Sequence, residues 1–125
     1  MKSELEDKLF AEYPLLFPSR TNIQSSCMGF GFECGDGWYS LIDSLCLSIQ
    51  NYVSNNKKLQ PVVVQVKEKF GTLRFYVEGS DDLIDGMIWF AETLSGKICE
   101  LCGQPGSVNK SGWRACRCTS CREES

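Results

Sequence analysis

Between residues 38 and 54 the apolar positions fall at Trp38, Leu41, Ile42, Leu45, Cys46, Ile49 and Val53. Their mixture of single, triple and quadruple steps traces one stripe along a helix. Gly35-Asp36-Gly37 ahead of it is turn chemistry, with Asp36 or Gly37 able to take the N-cap. Asn55-Asn56-Lys57-Lys58 closes it. A second helix is predicted over 81–95. Ser80 or Asp81 caps it, and Leu83 or Ile84, Met87 or Ile88, Ala91 and Leu94 form its buried stripe. Gly96 terminates it. A short helix over 3–11 places Leu5 and Leu9 together, with Ser3 and Glu6 as a capping box. It ends at Tyr13-Pro14, because the residue before proline avoids the helical region.

Two stretches alternate with period two. Residues 61–67 put Val62, Val64 and Val66 on one face, and residues 72–78 do the same for Leu73, Phe75 and Val77. Glu68-Lys69-Phe70-Gly71 between them predicts a β-hairpin, with Gly71 taking the unusual backbone angle. A further strand is expected over 27–33, with Met28, Phe30 and Phe32 on one side, although Gly29 and Gly31 weaken it. Residues 14–26 read as irregular. The fold class is therefore α+β. A small antiparallel sheet (hairpin 61–67/72–78 and strand 27–33) packs with helices 38–54 and 81–95 in a body spanning 1–96.

The 125 residues suit one domain, and 42% hydrophobic with 23% charged residues is ordinary for a folded chain. No apolar run approaches the roughly 20 residues of a membrane span, and the first residues lack the apolar core of a signal peptide. A cytoplasmic protein with no membrane partner is expected. There is no histidine. That excludes imidazole acid–base chemistry, histidine triads and histidine-containing zinc hydrolase sites. Net charge is −3, placed unevenly: residues 1–96 hold 8 Lys/Arg against 13 Asp/Glu, and residues 97–125 hold 5 against 3. Only the C-terminal part is basic.

The strongest chemical signal is cysteine spacing. Cys99 and Cys102, then Cys118 and Cys121, form C-x2-C-x15-C-x2-C, a structural zinc pattern. A two-residue spacer folds into a tight knuckle whose sulfurs take adjacent corners of a tetrahedron. Gly103 lets backbone amides turn toward sulfur. Val108 with Trp113-Arg114 would pair as short strands, completing a C-terminal zinc ribbon over 97–122 packed on the body as one cooperative unit. A fragment this small buries little core, so bound Zn²⁺ would supply its folding free energy. Four protein ligands leave no open position, so the metal is structural. Cys116 lies close enough in sequence to replace Cys118 as ligand.

Cys27, Cys34 and Cys46 remain. Cys46 lies on the apolar helix face and reads as a small hydrophobe. Cys34 permits two readings. It is a nucleophile activated by the following helix with Glu33 and Asp36 as acid–base partners, or it is part of a tight strand–turn–helix corner, the simpler account. On the hairpin, Lys67, Lys69, Arg74 and Tyr76 could face phosphates and stacked bases. Trp113 and Arg114, with Lys110 and Arg117, make a second candidate surface. Alternate residues of any half-buried hairpin face water, however, and lysine and arginine are common there without a ligand.

Val66-Lys67-Glu68-Lys69-Phe70-Gly71-Thr72-Leu73-Arg74-Phe75-Tyr76, then Ala91-Glu92, Ser95, Cys99-Glu100-x-Cys102-Gly103-x-Pro105-Gly106, Gly112-Trp113 and the last cysteine pair resemble a family of small uncharacterised proteins of bacteria and their phages. Gly35-Asp36-Gly37-Trp38 also fits. The resemblance spans roughly residues 30–121. It implies a phage-encoded zinc-ribbon protein of the host cytoplasm and transfers a metal site but no activity. Cys116 departs from it, since similar sequences have threonine there. The functional expectation is a non-enzymatic zinc-binding adaptor or inhibitor directed at a host protein complex. The alternative is a nucleic-acid-binding ribbon protein using 67–76, and a Cys34-centred enzyme is the remaining one.

Overall fold

The longest apolar stripe becomes the central helix. In a computed structural model that describes residues 1–18 and 27–124, without the side chains of Cys27 and Glu124, helix α2 runs Tyr39–Asn55 and buries Ile42, Leu45, Cys46, Ile49 and Val53. A 3-10 turn over Asp36–Trp38, itself preceded by Gly35 at its N-cap, leads into it, so Trp38 rather than Asp36 or Gly37 is the N-cap of α2. Trp38 is fully buried at that junction. Burying each large side chain of this stripe is worth about 1.5–3 kcal/mol.

Before α2 come helix α1 (Ser3–Glu12) and strand β1 (Phe32–Glu33). After it come β2 (Val62–Lys69), β3 (Thr72–Glu78), helix α3 (Asp82–Ser95), β4 (Ser107–Val108), β5 (Cys116–Arg117) and helix α4 (Thr119–Glu124). The first three strands form a sheet in the order β1-β2-β3, and β4 pairs with β5. The class is α+β as the periodicity indicates, but the larger sheet is mixed. β1 pairs parallel with β2 through Phe32↔Val66 and Glu33↔Lys67. The reason is connectivity: α2 lies between these strands and returns the chain to its starting end, the crossover that parallel pairing requires.

The expected strand 27–33 shrinks to two residues. Residues Cys27–Phe30 form a 3-10 turn, and Gly31 has φ +74. Met28 and Phe32 are buried as expected, whereas Phe30 is 64% exposed. The capping box at Ser3 does not form, since α1 has Lys2 at its N-cap without a side-chain bond. Glu6 instead accepts from Phe32 N at 2.7 Å, tying α1 to β1. Of the irregular stretch 14–26, residues 19–26 lie outside the described residues.

The β2–β3 hairpin forms with one irregularity. Val63 pairs with Val77 and Gln65 with Tyr76, so Val64 is the extra residue of a bulge. The bulge shifts the face, and the buried valines are Val63 and Val66 rather than Val62, Val64 and Val66. Leu73 and Phe75 face the core as predicted. The turn places both central residues at positive φ, Phe70 at 55° and Gly71 at 88°. Two positive φ values define the I′ turn that matches strand twist. Glycine tolerates this freely. Phe70 does not, at a cost of about 1–2 kcal/mol.

Helix α3 is capped by Asp81, whose Oδ1 accepts from Ile84 N at 2.9 Å. It buries Ile84, Ile88 and Ala91. It also seals the sheet edge. Phe75 N donates to Glu92 Oε2 at 3.0 Å, and Leu73 N donates to Ser95 Oγ at 2.8 Å. The outward amides of an edge strand are thereby closed by helix side chains instead of a fourth strand.

Candidate metal centre

The ribbon places Cys99 and Cys102 on one turn and Cys118 and Cys121 at the start of α4. The four sulfurs all lie within 4.8 Å of one another, with Cys102 Sγ and Cys118 Sγ 3.6 Å apart. A tetrahedral ion with metal–sulfur bonds of about 2.3 Å needs sulfur–sulfur separations of roughly 3.8 Å, so the donors stand near the required spacing. This four-cysteine cluster is fit to hold a metal ion.

The backbone around the cluster explains why. Gly103 N closes the first turn onto Cys99 O at 2.9 Å, with Gly103 at φ +82. Cys121 N donates to Cys118 Sγ at 3.4 Å. Burial opposes ionisation of Cys99, but backbone amides of Cys118, Cys102 and Leu101 outweigh it and lower its pKa to about 6. The hydrogen-bonding thiols of Cys118 and Cys102 push Cys121 up to about 12. Four sulfurs this close cannot all ionise unless a cation sits among them.

Cys116 is outside the cluster. It is fully buried, and its Sγ donates to Ile98 O at 3.0 Å. It sits on β5 facing Val108, so the ambiguity with Cys118 resolves toward Cys118 on geometry. The β4 partner is also displaced from expectation. It is Cys116–Arg117 that pairs with Ser107–Val108, while Trp113-Arg114 lie in the connecting loop. Asn109 organises that loop. Its Nδ2 donates to Trp113 O at 2.7 Å, and its Oδ1 accepts from Ala115 N at 2.8 Å.

The cluster is anchored to the body through contacts that spacing did not reveal. Trp38 Nε1 donates to Ile98 O at 2.9 Å, and Gly37 N donates to Glu100 O at 2.7 Å. A Cβ on Gly37 would stand 2.1 Å from Cys99 O and 2.6 Å from Gly103 N. Gly37 therefore serves close backbone approach. Glu100, 8% exposed, accepts from Gly35 N at 2.9 Å and pairs with Arg117 at 3.2 Å. No distinctive sequence signal marks Glu100, because acidic residues are common inside such turns.

Cys34 is buried among carboxylates. Desolvation first, then Glu100, raise its thiol to about 12. A nucleophile needs the opposite surroundings, so the geometry matches the structural corner. Burial likewise raises Cys46. The side chain of Cys27 lies outside the described residues.

The structure brings Lys69 of the hairpin together with Trp113 and Arg114 of the ribbon loop in a shared cleft, while Lys67, Arg74 and Tyr76 do not line that cleft. Lys67 faces Arg74 across the hairpin, Gln65 faces Tyr76 and Lys69 faces Thr72, all on the side of the sheet opposite Val66 and Phe75. Gly71 at the hairpin tip abuts Val108, 2.7 Å from where its Cβ would lie. Glu68, Lys69, Phe70, Gly112, Trp113 and Arg114 consequently line one cleft of about 460 Å³. Among the described residues no helix is long and apolar enough to cross a membrane. No family model, curated protein or solved structure matches the chain.

Proposed function

We propose that this is a non-enzymatic binding protein, an adaptor or inhibitor of a protein complex, in which Zn²⁺ held by Cys99, Cys102, Cys118 and Cys121 fixes the ribbon against the body. The observation that carries the metal reading is the convergence of four thiols within 4.8 Å. An all-sulfur tetrahedral set favours zinc over hard cations, and four protein donors leave no place for a reacting water. The ion's role is thus to hold the ribbon, and with it the loop bearing Trp113.

A protein partner is supported by the α2–α3 surface. Leu41, Leu45, Met87, Phe90 and Leu94 line a shallow groove of about 180 Å³. Phe90 is 70% exposed and the adjacent Trp89 74%. Exposed aromatics of this size on a helix pair suit docking. The host target and phage origin rest on the sequence resemblance alone.

Elemental analysis of freshly purified protein tests the metal reading, with one zinc per chain expected. Absence of bound metal, or sulfurs bridged to one another, would overturn it. The partner reading is tested by affinity capture from the native host with wild-type and Phe90→Asp baits. A partner retained by the first and lost by the second is expected, and equal capture would remove the groove from the account.

A further inference from the structure

We infer that the hairpin tip and the ribbon loop together form a binding site for single-stranded nucleic acid, with Phe70 and Trp113 as stacking platforms and Lys67, Lys69, Arg74 and Arg114 as phosphate contacts.

Three observations carry this beyond the metal and partner readings. The first is the pair of rings. Trp113 is 88% exposed and Phe70 69%, and both line one cleft. Both are held in place by defined backbone: Phe70 by a left-handed turn residue with φ 55, Trp113 by the Asn109 side chain bonded to its carbonyl. A large aromatic at a turn position that glycine or asparagine fills most easily is poorly explained by folding.

The second is charge. Lys67 and Arg74 oppose each other across the hairpin, with Glu33 of β1 beside Lys67 on its other side. Among the described residues, none of Lys67, Lys69, Arg74 and Arg114 makes an ion pair. Lys69 Nζ lies 5.6 Å from the Phe70 ring centre, so cation and ring are presented together. The one carboxylate in the cleft, Glu68, accepts from Gly71 N at 2.7 Å, which occupies it within the turn.

The third is the combination. Cations alone suit any polyanion. Exposed rings interleaved with cations suit a strand whose base faces are free, because stacking needs unstacked bases. Duplex bases are stacked on one another, and an acidic peptide offers no flat face.

The test uses the full chain and a fluorescent oligothymidylate of about 20 nucleotides, a length exceeding one typical site. Binding is expected at about 50 mM salt, weakening steeply as salt rises. Trp113→Ala and Phe70→Ala should each weaken it by roughly 5- to 100-fold, the range of one lost stacking contact. Lys67→Ala with Arg74→Ala should flatten the salt dependence. In a Trp89→Phe background the remaining exposed tryptophan emission should be quenched by the oligonucleotide. Unchanged circular dichroism and metal content show that each variant is folded. No binding at low salt would overturn the proposal, and so would affinity indifferent to both ring variants. Equal affinity for a duplex of the same length would remove the stacking role, and equal affinity for poly-glutamate would reassign the surface to acidic proteins. Zinc analysis is independent of all these outcomes.

Discussion

The hydroxyl of Ser95 lies 2.8 Å from the backbone nitrogen of Leu73, and both residues are fully buried. The same oxygen donates to Glu92 O, so one side chain closes the edge of β3 and the last turn of α3 together. Ser95→Ala leaves a buried amide without an acceptor and should destabilise the protein by about 1–3 kcal/mol. Urea unfolding measures it. A change within error would mean that the edge amide finds another partner.

Two glycines should respond oppositely to alanine. Gly37→Ala drives a methyl group into the backbone of Cys99 and Gly103, atoms that cannot swing aside, and should cost at least about 1–3 kcal/mol. Gly86 sits within α3 with nothing within 4 Å of an added Cβ. Gly86→Ala should stabilise by about 0.5–1 kcal/mol. Thermal melts of the two variants side by side provide the check.

Serine at Cys99, Cys102, Cys118 or Cys121 should abolish stoichiometric zinc, whereas Cys116→Ala should keep it while losing about 1–2 kcal/mol of packing. Elemental analysis of the five variants distinguishes ligand from core. Because Trp38 reaches across to Ile98, chelation should also alter the near-ultraviolet dichroism of the body. An unaltered tryptophan signal would show two independent units.

Asp81 receives the Tyr52 hydroxyl at 2.6 Å and the Ile84 amide at 2.9 Å. These bonds, the tyrosine first, hold its carboxyl below the ordinary value of 3.8. A depressed folded-state pKa stabilises the native protein at pH above the unfolded value, and that contribution disappears as pH falls through the folded value. Tyr52→Phe should raise the Asp81 titration midpoint toward the ordinary range, followed by carboxyl NMR. An unmoved midpoint would show that the hydroxyl contributes nothing.

Phe70→Asn replaces an aromatic at positive φ with a residue suited to that turn position. It should stabilise the hairpin by up to about 1 kcal/mol. If instead it destabilises, the ring has a packing role that its exposure hides.

Helices α1, α2 and α3 were legible from apolar stripes of helical period, and the hairpin from two β-rich stretches around Gly71, whereas the short α4 carries no such stripe. The four-cysteine cluster was legible because its spacing reports local turn geometry directly. The bulge at Val64 was hidden: all five residues from 62 to 66 are valine or glutamine, in a pattern that fits either register. β1 was overextended because apolar alternation at Met28, Phe30 and Phe32 outvoted Gly31, whose positive φ ends the strand. The anchoring set of Gly37, Glu100 and Arg117 was hidden for a different reason. Its members are far apart in the chain, and nothing local distinguishes a glycine pressed against a remote backbone from one in an ordinary turn.

The indole of Trp38 waits for an acceptor 60 residues downstream. During synthesis, with earlier segments emerging first, the helical core can collapse while that nitrogen still faces solvent. Only when the stretch after α3 has left the ribosome can the indole be sealed. Completion of the core around Trp38 thus depends on the ribbon, and a chain lacking residue 98 would leave the nitrogen of its largest buried ring without this acceptor.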